Sequence, residues 1–150
     1  MKDIFSKEVT EEVIVRINNL TAETQPIWGK MSVGQMLAHC SVAYKYVFDN
    51  TYKKPKGLKK FILMKFIKPM IVSEKPFKKN GVTSPDFKMT APKEFEAEKK
   101  QLIDYLNRTQ ELGGDHFHYK ESHSFGVMTR DEWNNMFYKH IDHHLTQFGV

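Results

Sequence analysis

Apolar residues recur at helical spacing in four separate stretches of this chain, which predicts four helices. Two of the stretches begin with Ser or Thr and carry Gln or Glu three residues later, a pattern that closes the first turn of a helix by reciprocal hydrogen bonds. Ser32 and Gln35 thus predict a helix from Ser32 to about Asp49. Thr129 and Glu132 predict another that runs nearly to the C-terminus.

The two remaining helices have less sharply marked limits. Periodic apolar residues predict a first helix over roughly 7–20 and a third over roughly 92–112. Proline suits the first turn of a helix and glycine its end, so the third helix should begin near Pro92 and stop at Gly113. No convincing run of alternating strand residues is present. The pattern predicts an all-α four-helix bundle.

The connections are longest between the second and third helices. Residues 57–73 are compatible with a short amphipathic helix broken near Pro69. Residues 74–90 are expected to form a loop, because Pro76, Gly81 and Pro85 interrupt any regular structure there. Residues 117–127 are expected to be loop or short extended structure. We therefore expect a bundle with one long connection between helices two and three.

Length and composition suit a single folded domain over residues 1–150. Hydrophobic residues make up 40% and charged residues 27% of the chain, a balance that does not indicate disorder. The single cysteine, Cys40, excludes an intrachain disulfide and is expected to be a small core residue. The N-terminal residues carry acids where a signal peptide needs an apolar core, and no stretch of about 18 apolar residues exists. We expect a cytoplasmic protein without a transmembrane segment.

Charge is concentrated in the long connection. Residues 51–80 contain ten lysines and one acid, or +9, so the rest of the chain carries −4 of the net +5. The lysine-rich stretch 53–79 has three interpretations: a solvated face, an amphipathic helix on an anionic membrane, or a site for an anionic substrate or nucleic acid. In the membrane interpretation, the lipid-facing residues would be Phe61, Ile62, Phe66 and Ile67. No known nucleic-acid motif occurs, so we expect no specific nucleic-acid partner.

Two histidines fall inside the apolar stripe of the fourth helix. At about 100° per residue, His140 and His144 lie one turn apart, within the face defined by Trp133, Phe137 and Ile141. Two buried imidazoles without partners would cost roughly 1–3 kcal/mol each. A histidine pair at this spacing is a common way to present two nitrogens to one metal ion. The alternative is an ordinary pair of core or surface histidines.

A third ligand would have to come from another helix. His39 lies on the edge of the apolar stripe of helix two, from which it can face a neighbouring helix. Three neutral imidazoles leave a position open for water or substrate, as in catalytic rather than structural sites. The expected metal ligands are therefore His39, His140 and His144. Imidazole suits zinc, nickel, iron and copper alike; we expect zinc or nickel first, with iron or copper as alternatives.

Three further residues are candidates for the surroundings of the metal. Gln147, one turn beyond His144, could orient a ligand, or it could be a contact near the chain end. His143 could replace a ligand or act as an acid or base, although a solvated position on the rim is the simpler expectation. His123 reaches the metal only if its loop folds back over the bundle, so structural packing is expected. The sequence identifies no catalytic residue and no organic cofactor site.

Two fragments resemble the DinB/YfiT-like superfamily of four-helix bundles: GKMSVGQMLAHC at 29–40 and KHIDHHLTQF at 139–148. The chain is similar to an uncharacterised branch with an H-x-F-G loop beginning at His123, a tryptophan at position 133 and a terminal HHLxQF motif. The likeness covers roughly residues 28–48 and 123–149. It implies a metal held by one histidine on the second helix and two on the fourth, which correspond here to the same three histidines.

The resemblance also suggests a chemistry. Relatives in the superfamily include S-transferases and isomerases that use low-molecular-weight thiols. The resemblance therefore implies a metal-dependent transferase that acts on a small molecule, with a thiol as the favoured class, and a homodimer. Metal-assisted hydrolysis is the second expectation. The H-E-x-x-H motif of metalloproteases is absent because Ile141 occupies the position of its glutamate. The alternative is a non-catalytic, metal-stabilised bundle that binds a partner or an anionic membrane through its lysine-rich segment.

Overall fold

In a computed structural model, which describes residues 1–49 and 51–150, the chain is mostly helical. In the described residues the α-helices are α1 (Lys7–Asn18), α2 (Val33–Phe48), α3 (Gly57–Ile62), α4 (Lys68–Val72), α5 (Phe95–Phe117) and α6 (Arg130–Gln147). A π-helical turn (Leu63–Ile67) joins α3 to α4, and a 3-10 turn (Pro85–Phe87) precedes α5. Strands β1 (Lys120–Ser122) and β2 (Gly126–Met128) form an antiparallel hairpin.

The predicted starts of α2 and α6 are confirmed. Ser32 accepts a hydrogen bond from the backbone N–H of Gln35, and the Gln35 side chain accepts one from the backbone N–H of Ser32. Thr129 and Glu132 make the same reciprocal pair before α6. Because both caps satisfy orphan backbone donors within one turn, local sequence is sufficient to fix these helix starts.

The predicted end of the third long helix is only partly right. Gly113 has φ 72° and ψ 165°, a backbone conformation open to glycine but strained for other residues, and it does interrupt α5. The chain then resumes one further helical turn up to Phe117. The buried Phe117 ring lies 5.2 Å from the ring of Phe5 and 5.5 Å from that of Trp133, so aromatic packing holds this extra turn in place.

The main core lies among α1, α2, α5 and α6. Helix α2 is buried along most of its length because it packs against both α5 and α6. Its first turn is also closely approached by the chain that enters α5: a Cβ atom at Gly34 would lie 2.5 Å from the backbone oxygen of Lys93. This central position explains how His39, on the edge of the apolar stripe of α2, is only 5% exposed.

The lysine-rich connection is more regular than expected. Its chain is helical from Gly57 to Val72, so the predicted break near Pro69 is wrong. Proline cannot donate the hydrogen bond that a continuous α-helix requires, but Pro69 lies in the first turn of α4, where no such donor is needed. The π-helical turn precedes it, with the Lys68 N–H bonded to the Leu63 carbonyl five residues back.

The remaining connections agree with the sequence pattern. The predicted extended structure over residues 117–127 corresponds to the short hairpin of β1 and β2, which continues to Met128 and in which Glu121 pairs with Val127. No helix in the described part of the chain combines the length and apolar character needed to cross a bilayer.

Candidate metal centre

Three histidines from two helices converge at one point. His39 comes from α2, and His140 and His144 come from successive turns of α6. One ring nitrogen of each lies within 4.8 Å of the others, and the ring centroids are 4.5 to 5.0 Å apart. The three residues expected from the sequence to bind a metal are therefore close enough together to hold one ion.

The protonation state of His39 follows from its partner. The Nδ1 atom of His39 lies 2.8 Å from the backbone oxygen of Phe87, in the 3-10 turn before α5. A carbonyl oxygen can only accept, so Nδ1 carries the proton and the Nε2 lone pair is left free. That lone pair points toward His140, which makes Nε2 the atom of His39 that is available to a metal.

His144 is oriented in the same way by a side chain. Its Nδ1 lies 2.8 Å from Oε1 of Gln147, while Nε2 of Gln147 donates to the Trp28 carbonyl at 2.7 Å. Because that carbonyl accepts only, the amide must turn its NH₂ group toward Trp28 and its oxygen toward His144. The Nδ1 proton of His144 is thereby fixed, and Nε2 is left as a potential ligand. An orienting acceptor of this kind is the usual second partner of a metal-binding histidine.

The contact between the two helices is short. The Nε2 atoms of His39 and His140 are 3.0 Å apart. Since the His39 atom carries a lone pair, either His140 donates a proton to it or both atoms bind the same cation. Nitrogen ligands at 2.0–2.1 Å from a tetrahedral zinc ion are about 3.3 Å apart, so a small adjustment of this pair admits the ion.

Burial keeps all three imidazoles in the form that binds metals. Desolvation lowers the pKa of His39, lowers that of His140 well below its ordinary value, and lowers that of His144 to about 3. A neighbouring histidine acts in the same direction on His140 and His144, because two cations in one buried site would repel. At neutral pH the rings are therefore neutral, and neutral imidazole is the ligand state.

The donor set fits a transition metal with an open position. Within the described residues, no carboxylate or thiolate joins the three histidines. Cys40, the neighbour of His39 in sequence, is fully buried, its Sγ lies 3.7 Å from the Met36 sulfur, and desolvation raises its pKa. It is thus a core residue, as expected. Three imidazoles without a fourth protein ligand are typical of catalytic sites.

His143 lies beside the cluster and not within it. Its half-buried ring is packed edge-on against Trp28 and Phe77, at centroid distances of 5.9 and 5.7 Å. These rings line a cavity of about 250 Å³. Two cations lie over its aromatic walls: Nζ of Lys79 is 4.2 Å from the Trp28 ring, and Nζ of Lys139 is 4.5 Å from the Phe77 ring. His143 is therefore a wall of a pocket, not a fully solvated rim residue.

His123 is farther from the cluster. It is 8% exposed and stacks on Tyr46 with ring centroids 3.8 Å apart, and the Tyr46 hydroxyl donates to Asp86. The Phe87 ring contacts Tyr46 on one side and His39 on the other. In the described part of the chain no hydrogen bond links His123 to the three histidines. Its contacts agree with the packing role expected for it.

Several groups around the centre were not identified from the sequence. The Phe87 and Trp28 carbonyls are backbone atoms, and backbone atoms carry no residue-type signal. The pocket residues Phe77 and Lys79 come from a loop without periodicity. Lys139 could have attracted notice, since it is a lysine inside the mostly buried part of α6 and is only 4% exposed.

The chain belongs to the family described as "Protein of unknown function (DUF1569)", whose model matches residues 5–149. No curated protein and no solved structure matches it. The family therefore covers nearly the whole chain and includes all three histidines, but its description gives no activity.

Proposed function

We propose that this protein is a metal-dependent enzyme whose ion is held by Nε2 of His39 and His144 together with His140. The observation that supports this proposal most directly is the orientation of the His39 and His144 rings. Each has its Nδ1 proton taken up by a built acceptor, the Phe87 carbonyl or the Gln147 amide, and each is left with a free Nε2 lone pair. An ordinary core histidine would also be satisfied by one such acceptor. Nothing, however, would require several core histidines to direct their remaining nitrogens at a common point.

Zinc or nickel is the first expectation for the ion, with iron or copper as alternatives, because imidazole nitrogen binds all four. When bound with an open position, such an ion can activate a thiol or a water molecule. The protein contributes neutral ligands, so the positive charge of the ion is not cancelled. Neutral ligands favour chemistry in which a negative charge develops on the substrate.

A low-molecular-weight thiol is the substrate class we favour, with S-transfer as the reaction. The cavity beside His143 supports this choice through its aromatic walls and its two cations, Lys79 and Lys139. Glu74 and Asp142 also line the cavity, so its charges are mixed and suit a small molecule that carries both carboxylate and ammonium groups. Metal-assisted hydrolysis is the second candidate, since the same centre could activate water.

We also propose that the fold is the DinB/YfiT-like four-helix bundle. The arrangement of α1, α2, α5 and α6 around one core supports this, as do the positions of His39 on the second of these helices and of His140 and His144 on the fourth. A cytoplasmic location and a homodimer belong to the same proposal and rest on the sequence alone.

Cobalt-substituted protein tests the reaction class. A small thiol should produce a sulfur-to-cobalt charge-transfer band in the wild type and no band in His144→Ala, because two imidazoles do not retain the ion. The matched control is His116→Ala, an exposed histidine on α5 outside both the cluster and the cavity, which keeps all three ligands and should keep the band.

Other outcomes would redirect the proposal. If no cellular thiol gives the band while esters or amides are turned over in a metal-dependent manner, the hydrolase is the better assignment. If neither occurs with fully loaded protein, the enzyme proposal is wrong and a non-catalytic, metal-stabilised bundle replaces it.

A further inference from the structure

The lysine-rich segment presents an exposed apolar row on its outer side. The row consists of Leu58, Ile62, Phe66 and Met70, each four residues after the last, with Phe61 beside it. Leu58 is 73% and Phe66 62% exposed, and the other members are more than 40% exposed. Large apolar side chains clustered in this way mark an interaction surface more often than single exposed ones do.

The π-helical turn brings the members of this row closer to one line. In a regular α-helix, positions four residues apart drift by about 40° per step, so four such positions would spread over about 120°. The turn over Leu63–Ile67 is wider and rotates the chain less per residue, which offsets much of that drift. Ile67, expected from the sequence to join the apolar side, is instead partly buried, as are Leu63 and Ile71.

The opposite side of the segment is fixed to the rest of the protein. Lys60 pairs with Glu121 and Lys68 with Glu132, both at 2.9 Å. Lys139 donates to the Met70 carbonyl at 2.8 Å and so satisfies an acceptor near the C-terminal end of α4. These contacts hold the segment with its apolar row on the outer side.

The lysines around the row differ from those on the fixed side. Two exposed lysines without a carboxylate partner among the described residues, Lys59 and Lys65, lie in the same helical stretch as the row, and a third, Lys56, immediately precedes it. The Nζ atom of Lys65 lies 5.6 Å from the Phe61 ring and 5.9 Å from the Phe66 ring. Its aliphatic stem thus runs along the apolar row while its charge remains in water, as expected of a lysine at a lipid interface.

We propose that this face binds the surface of an anionic membrane, with the apolar row lying among the acyl chains and the lysines against the headgroups. A row of apolar residues between basic side chains is the composition of interfacial helices. Charge argues against a second copy as the occupant, because the unpaired lysines of two identical faces would lie against each other. A nucleic acid would satisfy the lysines but would leave the apolar row in water. The proposal is independent of the metal chemistry.

Vesicle binding tests the proposal with the full-length protein. The wild type should sediment with phosphatidylserine-containing vesicles in a salt-sensitive manner and should not sediment with pure phosphatidylcholine vesicles. Lys59→Glu/Lys65→Glu should weaken the partition coefficient at least about tenfold, since each lysine near the surface contributes about a factor of five. Phe61→Ser/Phe66→Ser, which leaves the charge unchanged, should weaken it by a similar factor.

Matched variants elsewhere on the surface provide the control. Lys7→Glu/Lys30→Glu changes the net charge equally, and Val15→Ser removes an apolar side chain that is 59% exposed on α1. Both should bind like the wild type.

The proposal would be overturned by no binding to anionic vesicles, by equal loss in the controls, by full binding of the double serine variant, or by concentration-dependent dimers that the serine variant abolishes. Tighter binding to an oligonucleotide than to vesicles would also overturn it and would assign the face to nucleic acid.

Discussion

The Nε2 atoms of His39 and His140 lie 3.0 Å apart, although 101 positions separate the two residues in the chain. The packing of α2 against α6 brings them together, and each ring is largely shielded from water. The site is therefore formed by the core itself, and an ion would enter a cluster that is already assembled. Preassembly of this kind reduces the cost of ordering the ligands when the ion binds.

Metal content is the first quantity to measure. Protein purified without a histidine tag should contain about one transition-metal ion per chain by elemental analysis. His140→Ala and His144→Ala should lose it, because the remaining two imidazoles hold the ion too weakly to survive purification. His143→Ala should retain it, since that ring packs against Trp28 and Phe77 outside the cluster. Loss of metal in the His143 variant alone would contradict the ligand assignment.

Gln147 should matter for affinity without contacting the ion. Gln147→Leu removes the acceptor that fixes the Nδ1 proton of His144, and loss of such an acceptor weakens metal binding by about 10- to 100-fold. A competition titration with a zinc indicator measures the change. Thr146→Ala, on the neighbouring exposed position of α6, is the control and should leave the affinity as it is. An unchanged affinity in Gln147→Leu would remove Gln147 from the site.

Removal of the ion should lower the melting temperature. At a free concentration a hundredfold above the dissociation constant, the ion adds about 2.7 kcal/mol to the free energy of unfolding. In a domain of this size that corresponds to roughly 5–10 °C. A chelator should therefore shift the wild type by this amount and His39→Ala hardly at all. Equal shifts in both proteins would exclude His39 as a ligand.

The metal-free protein should become less stable in mild acid. Desolvation lowers the pKa of His144 from 6.5 to about 3, so between these values the unfolded chain binds a proton that the folded chain does not. The free energy of unfolding must then fall as pH decreases below about 6.5, by about 2 kcal/mol from this residue between pH 7.5 and 5. Urea denaturation with a chelator at both pH values measures it, and His144→Gln should show a smaller loss. An identical loss of stability in His144→Gln would mean that other titrating groups dominate the pH dependence.

Lys139 should stabilise the fold through the end of α4. Lys139→Met removes the only side-chain donor to the Ser73 carbonyl among the described residues and leaves the Met70 carbonyl with the Ser73 hydroxyl alone, at 3.4 Å, and loss of hydrogen bonds from a charged donor costs about 1–3 kcal/mol. Urea denaturation should show a loss of this size. The control is Lys65→Met, at an exposed position on the outer side of the lysine-rich connection. Its free energy of unfolding should stay within about 0.5 kcal/mol of the wild-type value. Equal stabilities of the two variants would show that the carbonyls find other donors.

The sequence by itself determined the features that depend on near neighbours. The starts of α2 and α6 followed from Ser32 with Gln35 and from Thr129 with Glu132, because each cap is completed within one turn. The shared direction of His140 and His144 followed from helical periodicity alone. The convergence of His39 on that pair was expected from its residue type and its position on a helix edge.

Only the tertiary structure decided how those histidines are held and what surrounds them. The Phe87 and Trp28 carbonyls orient two rings, and every residue type supplies the same carbonyl, so no sequence pattern could indicate them. The same holds for the continuous helical path past Pro69, where a π-helical turn replaced the expected break and the helices on either side of it are bonded to Glu121 of the hairpin and to Asn135 of α6. Local hydrogen bonds reach four residues along the chain, whereas these features join segments tens of residues apart. Their geometry is therefore set by packing.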